Sequence, residues 1–143
     1  MEAVDLPDIN VWLALADPDH EQHERARRYW EKEAAPTLAF TRITMLGLIR
    51  LLTNRHVMKG APFTVQEAWL AYEAFLQLPE VLYLNDPDSA ESTMKVWSNA
   101  PTFPPSRLTD AWIAAIAFAT GSRVVSFDSD FKEFSKLFFY HLK

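Results

Sequence analysis

The fold is decided by residues 108–130, which read LTDAWIAAIAFATGSRVVSFDSD. The first half is an alanine-rich run typical of a helix, and Gly121 stands where a helix C-cap is expected. A compact β-branched run, residues 123–127, then predicts a strand, and Asp128 and Asp130 follow it directly. The stretch therefore predicts a helix leading into a strand with two acids at its carboxyl end.

The remainder of the chain repeats this alternation of strand and helix. Further strands are predicted over residues 3–6, 38–40, 81–84 and 138–142, and further helices over residues 11–16, 20–33, 41–52, 64–76 and 88–97. Asp19 with Gln22, and Thr64 with Glu67, have the spacing of a capping box, and Thr41 is placed to cap a helix. Such alternation indicates a parallel sheet covered on both faces, so we expect an α/β fold, a three-layer α/β/α domain around a mainly parallel sheet of about five strands.

Bulk composition limits the domain organisation and the cellular location. The chain has 143 residues, of which 49% are hydrophobic, which is enough for one sizeable core and leaves no length for a second. We therefore expect a single domain over residues 1–143. The sequence contains neither a leader pattern nor an apolar run of about 18 residues, so we expect a cytoplasmic protein without a membrane span.

Cysteine content and charge restrict the chemistry. No cysteine is present, so a metal ion must use oxygen or imidazole ligands, which favours Mg²⁺ or Mn²⁺. The net charge of −5 argues mildly against a non-specific nucleic-acid binder. That argument is weak, because carboxylates gathered at a metal site would make a small protein acidic.

Acidic residues stand where the fold predicts a ligand site. Ligands bind outside the carboxyl ends of parallel strands. Asp8 directly follows the first predicted strand, with Asn10 two residues later, and Asp128 and Asp130 follow the strand over residues 123–127. Asp110 stands near the start of the preceding helix. We expect these acids to meet at one rim of the sheet.

A cluster of carboxylates at one rim favours binding of a divalent cation. The charges repel one another, and a cation neutralises them. Magnesium or manganese can activate a bound water and stabilise the leaving oxygen of a phosphodiester. For any single aspartate, a turn or helix-capping role remains an alternative. The same turn, cap or surface role is expected of Asp5, Asp17, Asp19, Asp86 and Asp88, although a shifted strand end would let Asp5 exchange roles with Asp8.

Four segments together resemble the PIN-domain ribonucleases, and especially the VapC-type toxins of toxin–antitoxin pairs. They are residues 8–17 (DINVWLALAD), 41–54 (TRITMLGLIRLLTN), 109–115 (TDAWIAA) and 125–131 (VSFDSDF). Their order and spacing span nearly the whole chain. The resemblance implies a metal-dependent endoribonuclease that uses Mg²⁺ or Mn²⁺.

The resemblance also implies roles for individual residues. The implied metal ligands are Asp8, Asp110, Asp128 and Asp130. Of these, Asp8, Asp110 and Asp128 are also the implied catalytic residues. The implied supporting residues are Asn10 and Ser126. The family pattern has a further acid in the helix after the second strand. The matching stretch of this chain is residues 44–47 (TMLG), where Met45 or a close neighbour takes the place of the acid. We therefore expect one well-held ion rather than two.

The resemblance implies an RNA substrate, with transfer or ribosomal RNA as candidates, a small antitoxin protein as partner, and a homodimer. Arg42 and Arg50 are candidates for contact with RNA, with a solvated helix face or the partner groove as the alternative. Two other functions stay open. One is a PIN fold with weakened catalysis that binds RNA or the antitoxin, suggested by Met45. The other is a phosphotransfer enzyme, which ranks last because no D-x-D motif follows the first strand.

Overall fold

A computed structural model describes residues 3–143 as a three-layer α/β/α fold around a five-stranded sheet. The strand order is β3-β2-β1-β4-β5, and every neighbouring pair is parallel. The strands are β1 (Val4–Pro7), β2 (Thr37–Phe40), β3 (Val81–Tyr83), β4 (Arg123–Ser126) and β5 (Phe139–His141). The predicted fold class is confirmed. Because β1 and β4 are adjacent at the centre, the residues that follow them lie at the same edge.

In the described part of the chain, residues 3–143, six α-helices cover the two faces of the sheet. They are α1 (Ile9–Ala16), α2 (His23–Lys32), α3 (Arg42–Leu52), α4 (Val65–Leu76), α5 (Ala90–Ser98) and α6 (Leu108–Thr120), with 3₁₀ turns at Pro105–Arg107 and Ser129–Glu133. Alternate strand residues face opposite cores: Val125 packs with α1 to α4, whereas Val124 packs with α5 and α6. Among residues 3–143, no helix combines the length and apolar character that a membrane crossing requires.

Most of the predicted helix ends are confirmed. The Thr41 side chain caps α3 in a reciprocal box with Thr44, and Thr64 forms the same box with Glu67 at the start of α4. Gly121 ends α6 in the left-handed conformation, with φ of 68°, which glycine adopts without steric cost. These local signals fix where the chain turns between layers.

The prediction for the start of α2 is wrong. The helix begins at His23 rather than His20, and Asp19 is not its N-cap. Instead the Asp17 carboxylate accepts a hydrogen bond from the Asp19 N–H at 3.0 Å, which closes a local turn. Gln22 takes the N-cap position without a side-chain hydrogen bond. The turn therefore uses the segment that the capping-box spacing had assigned to the helix.

The expected turn or surface role of Asp5 is also wrong. Asp5 is fully buried near the amino end of β1, away from the edge that carries Asp8. Arg123 donates two hydrogen bonds of 2.8 Å to its carboxylate, and Tyr29 and the Ala35 N–H donate two more. A buried carboxylate with four donors is a structural ion pair and cannot exchange roles with Asp8.

Candidate active site

Asp8 links the end of β1 to the start of α1. Its backbone N–H continues the sheet by donating to the Val125 carbonyl at 2.8 Å. Its Oδ1 accepts a hydrogen bond from the Ile9 N–H at 2.8 Å, so Asp8 is the N-cap of α1. The residue is only 7% exposed. One carboxylate oxygen therefore caps the helix, and the other faces the end of β4.

Ser126, the last residue of β4, connects the predicted site residues. Its hydroxyl donates to Asp8 Oδ2 at 2.8 Å and accepts from the Asp128 N–H at 2.9 Å. The Asn10 amide donates to the same hydroxyl at 3.2 Å, and Asn10 Oδ1 accepts from the Phe127 N–H at 3.4 Å. This network holds the chain at Asp128 beside Asp8.

Burial and a neighbouring negative charge both disfavour ionisation of the Asp8 carboxyl. Burial raises the pKa of Asp8 above its ordinary value of 3.8, and the negative charge of Asp128 raises it further. Hydrogen bonds from Ser126 and from the Ile9 N–H partly oppose the rise because they stabilise the carboxylate. Asp128 is therefore close enough to Asp8 for its charge to disfavour ionisation of the Asp8 carboxyl.

Asp110 in the first turn of α6 belongs to the same group. Its carboxyl is half-buried, and its pKa is raised from 3.8 to about 6. Burial is the largest cause, followed by the charges of Asp8 and Asp128, while Arg107 lowers the pKa and Asp130 raises it slightly. The three segments that carry predicted acids therefore converge on one region, as the parallel topology predicts.

Asp130 is placed differently from the other acids. Its backbone N–H donates to Asp128 Oδ1 at 2.8 Å, but its side chain makes an ion pair with Arg107 at 2.5 Å. Arg107 also pairs with Glu133. Arg107 is not among the residues predicted for the site, because nothing in its local sequence distinguishes it from a solvated loop cation.

The donor set suits a hard divalent ion. The side chains at this rim offer carboxylate, hydroxyl and amide oxygens, which Mg²⁺ and Mn²⁺ prefer. Within residues 3–143, however, no three aspartate, glutamate or histidine side chains converge closely enough to form a closed cage. Mg²⁺ commonly uses one or two protein carboxylates and retains several waters. An open set of acids is compatible with that mode of binding.

Helix α3 contributes no carboxylate to the site. Met45 stands where the family pattern has an acid, and its half-buried side chain packs against the core shared by α1 to α4. Methionine is well suited to filling such a gap. The acids available at this rim therefore come from β1, β4 and α6.

A groove of about 490 Å³ is lined by chain neighbours of two of the acids and by one of the two candidate arginines. Its lining includes Ile9 and Thr109, the neighbours of Asp8 and Asp110 in the chain, together with Arg50. Arg50 is exposed on α3 and borders this groove. Arg42 is also exposed, but it does not line the groove, and its charge acts on Tyr72 of α4.

The PIN-domain pattern matches residues 6–137 of the chain. The ribonuclease VapC41 of Mycobacterium tuberculosis is 36% identical over 135 residues, which cover 90% of this chain and 92% of VapC41.

Two solved structures have the same fold at lower identity. VapC20 of Mycobacterium tuberculosis, described as a sarcin-ricin loop cleaving toxin, aligns with a TM-score of 0.70 and 21% identity over 90% of this chain and 92% of its own. VapBC2 of Rickettsia felis, solved with a DNA fragment from its promoter, aligns with a TM-score of 0.66 and 13% identity over 98% and 99%. The chain belongs to the PIN-domain family and, within it, to the VapC-type ribonucleases.

Proposed function

We propose that this chain is a metal-dependent endoribonuclease that acts as the toxin of a toxin–antitoxin pair. The observation that carries the proposal is the convergence of Asp8, Asp110 and Asp128 at the carboxyl edge of the sheet, with Ser126 joining two of them. The 36% identity to a VapC ribonuclease supports the same conclusion. Metal dependence is typical of that family.

Each residue has a definable task in the proposed reaction. Asp8, Asp110 and Asp128 would hold Mg²⁺ or Mn²⁺ at the rim. Asp130, the fourth ligand that the sequence predicts, has its carboxylate paired with Arg107. Ser126 and Asn10 keep the Asp8 and Asp128 segments at a fixed separation through the hydrogen bonds described above. When bound, the ion lowers the pKa of a coordinated water and stabilises the leaving oxygen of the phosphodiester.

The partners follow from the proposed function. VapC20 is described as cleaving the sarcin-ricin loop, which supports a structured RNA as substrate. The solved neighbours include VapBC and FitAB assemblies, which supports a small antitoxin as protein partner. Arg50, which lines the groove, is the stronger candidate for contact with an RNA phosphate, and Arg42 is the weaker one. A homodimer, a cytoplasmic location and a single domain over residues 1–143 complete the proposal.

The proposal is tested by cleavage of total cellular RNA. Purified wild-type protein, freed of copurified antitoxin, is incubated with Mg²⁺, Mn²⁺ or EDTA beside Asp8→Asn. Asp86→Asn is the matched control, because Asp86 is exposed and contributes to none of the hydrogen bonds of the site. We expect discrete fragments from wild type and Asp86→Asn with metal, and none from Asp8→Asn or with EDTA.

One observation favours a second candidate function. Met45 leaves α3 without the acid of the family pattern, which removes one charge from the rim. A PIN fold with weakened catalysis would serve as an RNA-binding or antitoxin-binding module. It predicts RNA binding without cleavage in either metal, and RNA binding by Asp8→Asn as tight as by wild type.

A further inference from the structure

Arg107 lies against the acidic rim, where its charge acts on Asp110. It ends the 3₁₀ turn that leads into α6, three residues before Asp110. Its guanidinium contacts two carboxylates at once, Asp130 at 2.5 Å and Glu133. Both acids belong to the 3₁₀ turn that begins directly after Asp128. One side chain therefore ties the segment that carries Asp110 to the segment that carries Asp128.

This contact differs from an ordinary surface ion pair. The Arg107 side chain is 15% exposed, whereas Asp130 is 46% exposed and Glu133 is 69% exposed. The Arg107 side chain as a whole is thus better covered than either of its two acidic partners. A planar guanidinium can serve two carboxylates in fixed geometry, which a lysine ammonium does not reproduce.

The contact also changes the role available to Asp130. Its side chain is engaged by Arg107, while its backbone N–H supports Asp128 Oδ1 at 2.8 Å. Asp130 therefore contacts Asp128 through its main chain and Arg107 through its carboxylate. Both contacts act on the placement of Asp128.

We propose that Arg107 is a positioning residue of the metal site: it pins the Ser129–Glu133 turn to the start of α6, fixes the separation of Asp110 and Asp128, and keeps Asp130 outside the ion's ligands. The inference rests on the proposed metal-dependent function and deepens it. It assigns the ion to Asp8, Asp110 and Asp128. Residues that orient metal ligands commonly influence affinity by about 10- to 100-fold when they are replaced.

The test is Mn²⁺ binding to RNA-free protein, measured by calorimetry and by the electron paramagnetic resonance signal of free Mn²⁺. The variants are Arg107→Gln, Arg107→Lys, Asp130→Asn and the double variant Arg107→Gln with Asp130→Asn. Arg27→Gln is the matched control, because Arg27 makes an exposed ion pair with Glu31 within α2. Circular dichroism and thermal unfolding verify that each variant is folded.

We expect Arg107→Gln and Asp130→Asn each to weaken Mn²⁺ binding by about tenfold, as for other orienting contacts. The double variant should be no weaker than either single variant, since both break one contact. Arg107→Lys should restore little of the affinity, and Arg27→Gln should bind like wild type. A ligand role for Asp130 predicts the opposite pattern, in which Arg107→Gln binds Mn²⁺ as tightly as wild type or more tightly. That pattern overturns the inference.

The experiment distinguishes failure of the Arg107 inference from failure of the proposed function. Mn²⁺ binding that is lost in Asp8→Asn and weakened in Arg107→Gln supports the inference even where no RNA is cleaved. Absence of Mn²⁺ binding by folded wild-type protein overturns it together with the metal-dependent function. Loss of folding in Arg107→Gln leaves Arg107→Lys and Asp130→Asn to decide, and wild-type affinity in both overturns the inference.

Discussion

Replacing Asp110 by asparagine should stabilise the protein in the absence of metal while abolishing RNA cleavage. Asparagine has nearly the shape of aspartate but carries no charge. The substitution therefore removes the repulsion that Asp8 and Asp128 exert on Asp110, together with the cost of burying its charge. A residue that improves the fold when neutralised is serving a function other than stability.

The expected gain in stability of Asp110→Asn follows from the pKa of Asp110. A rise from 3.8 to about 6 corresponds to about 3 kcal/mol of destabilisation by the ionised form at neutral pH. Asp110 is only half-buried, so solvent screening reduces this to about 1.5 kcal/mol. In a domain of this size, that gain raises the melting temperature by about 5 °C.

The pH dependence has a definite sign. A carboxyl group whose folded-state pKa lies above its unfolded value destabilises the fold fully above about pH 6. The penalty is relieved as the pH falls from 6 towards 3.8, because the folded state then binds the proton more tightly. The advantage of Asp110→Asn over wild type should therefore fall to roughly half by pH 5.

Thermal unfolding in EDTA at pH 7.5 and pH 5 measures both the stability gain of Asp110→Asn and its decrease at the lower pH. Asp86→Asn, which removes an exposed charge elsewhere, is the control and should show neither effect. Added Mg²⁺ should stabilise wild type more than Asp110→Asn, since an ion stabilises the state that binds it. An Asp110→Asn variant that melts at or below the wild-type temperature in EDTA at pH 7.5 would refute the electrostatic account of this rim.

Three further substitutions test other parts of the account. Ser126→Ala removes the hydroxyl that joins the two strand-end acids, and we expect Mn²⁺ affinity to fall by about tenfold by calorimetry, with wild-type affinity contradicting its role. Asp5→Asn leaves Arg123 without its buried partner, and urea unfolding should show a loss of about 3 kcal/mol rather than no change. Gly47→Ala would place Cβ 2.3 Å from Ile9 Cδ1, so we expect it to lower the free energy of unfolding by about 1 kcal/mol. In an Ile9→Ala background the same substitution should cost nothing, and equal stability of Gly47→Ala and wild type would contradict the clash.

The architecture was predictable because its signals are local. Capping boxes at Thr41 and Thr64, and the glycine at position 121, each satisfy helix-end groups with residues nearby in the chain. The acid edge was predictable for a related reason. Parallel strands place their carboxyl ends together, so Asp8 and Asp128 needed only correct strand assignments to be brought to the same rim.

The parts that were not predictable depend on contacts between distant segments. Asp5 was expected to be a turn, cap or surface residue, and its burial required Arg123, which lies 118 residues further along the chain. Arg107 carries no local pattern that distinguishes it from a solvated loop cation. Its importance emerges only when the fold brings Asp130 and Glu133 to it. At residue 19 two local signals competed, and the turn closed by Asp17 prevailed over the capping box.

The most direct test of the central claim is the chemistry of the RNA ends produced by metal-activated wild-type protein. Hydrolysis by a water at a carboxylate-held ion does not use the 2′-hydroxyl as nucleophile, so the account predicts linear phosphate and hydroxyl ends. It also predicts continued cleavage of an RNA with a 2′-deoxy sugar at the cut site, and no cleavage by Asp8→Asn. Cyclic 2′,3′-phosphate ends, or cleavage that persists in EDTA, would contradict it.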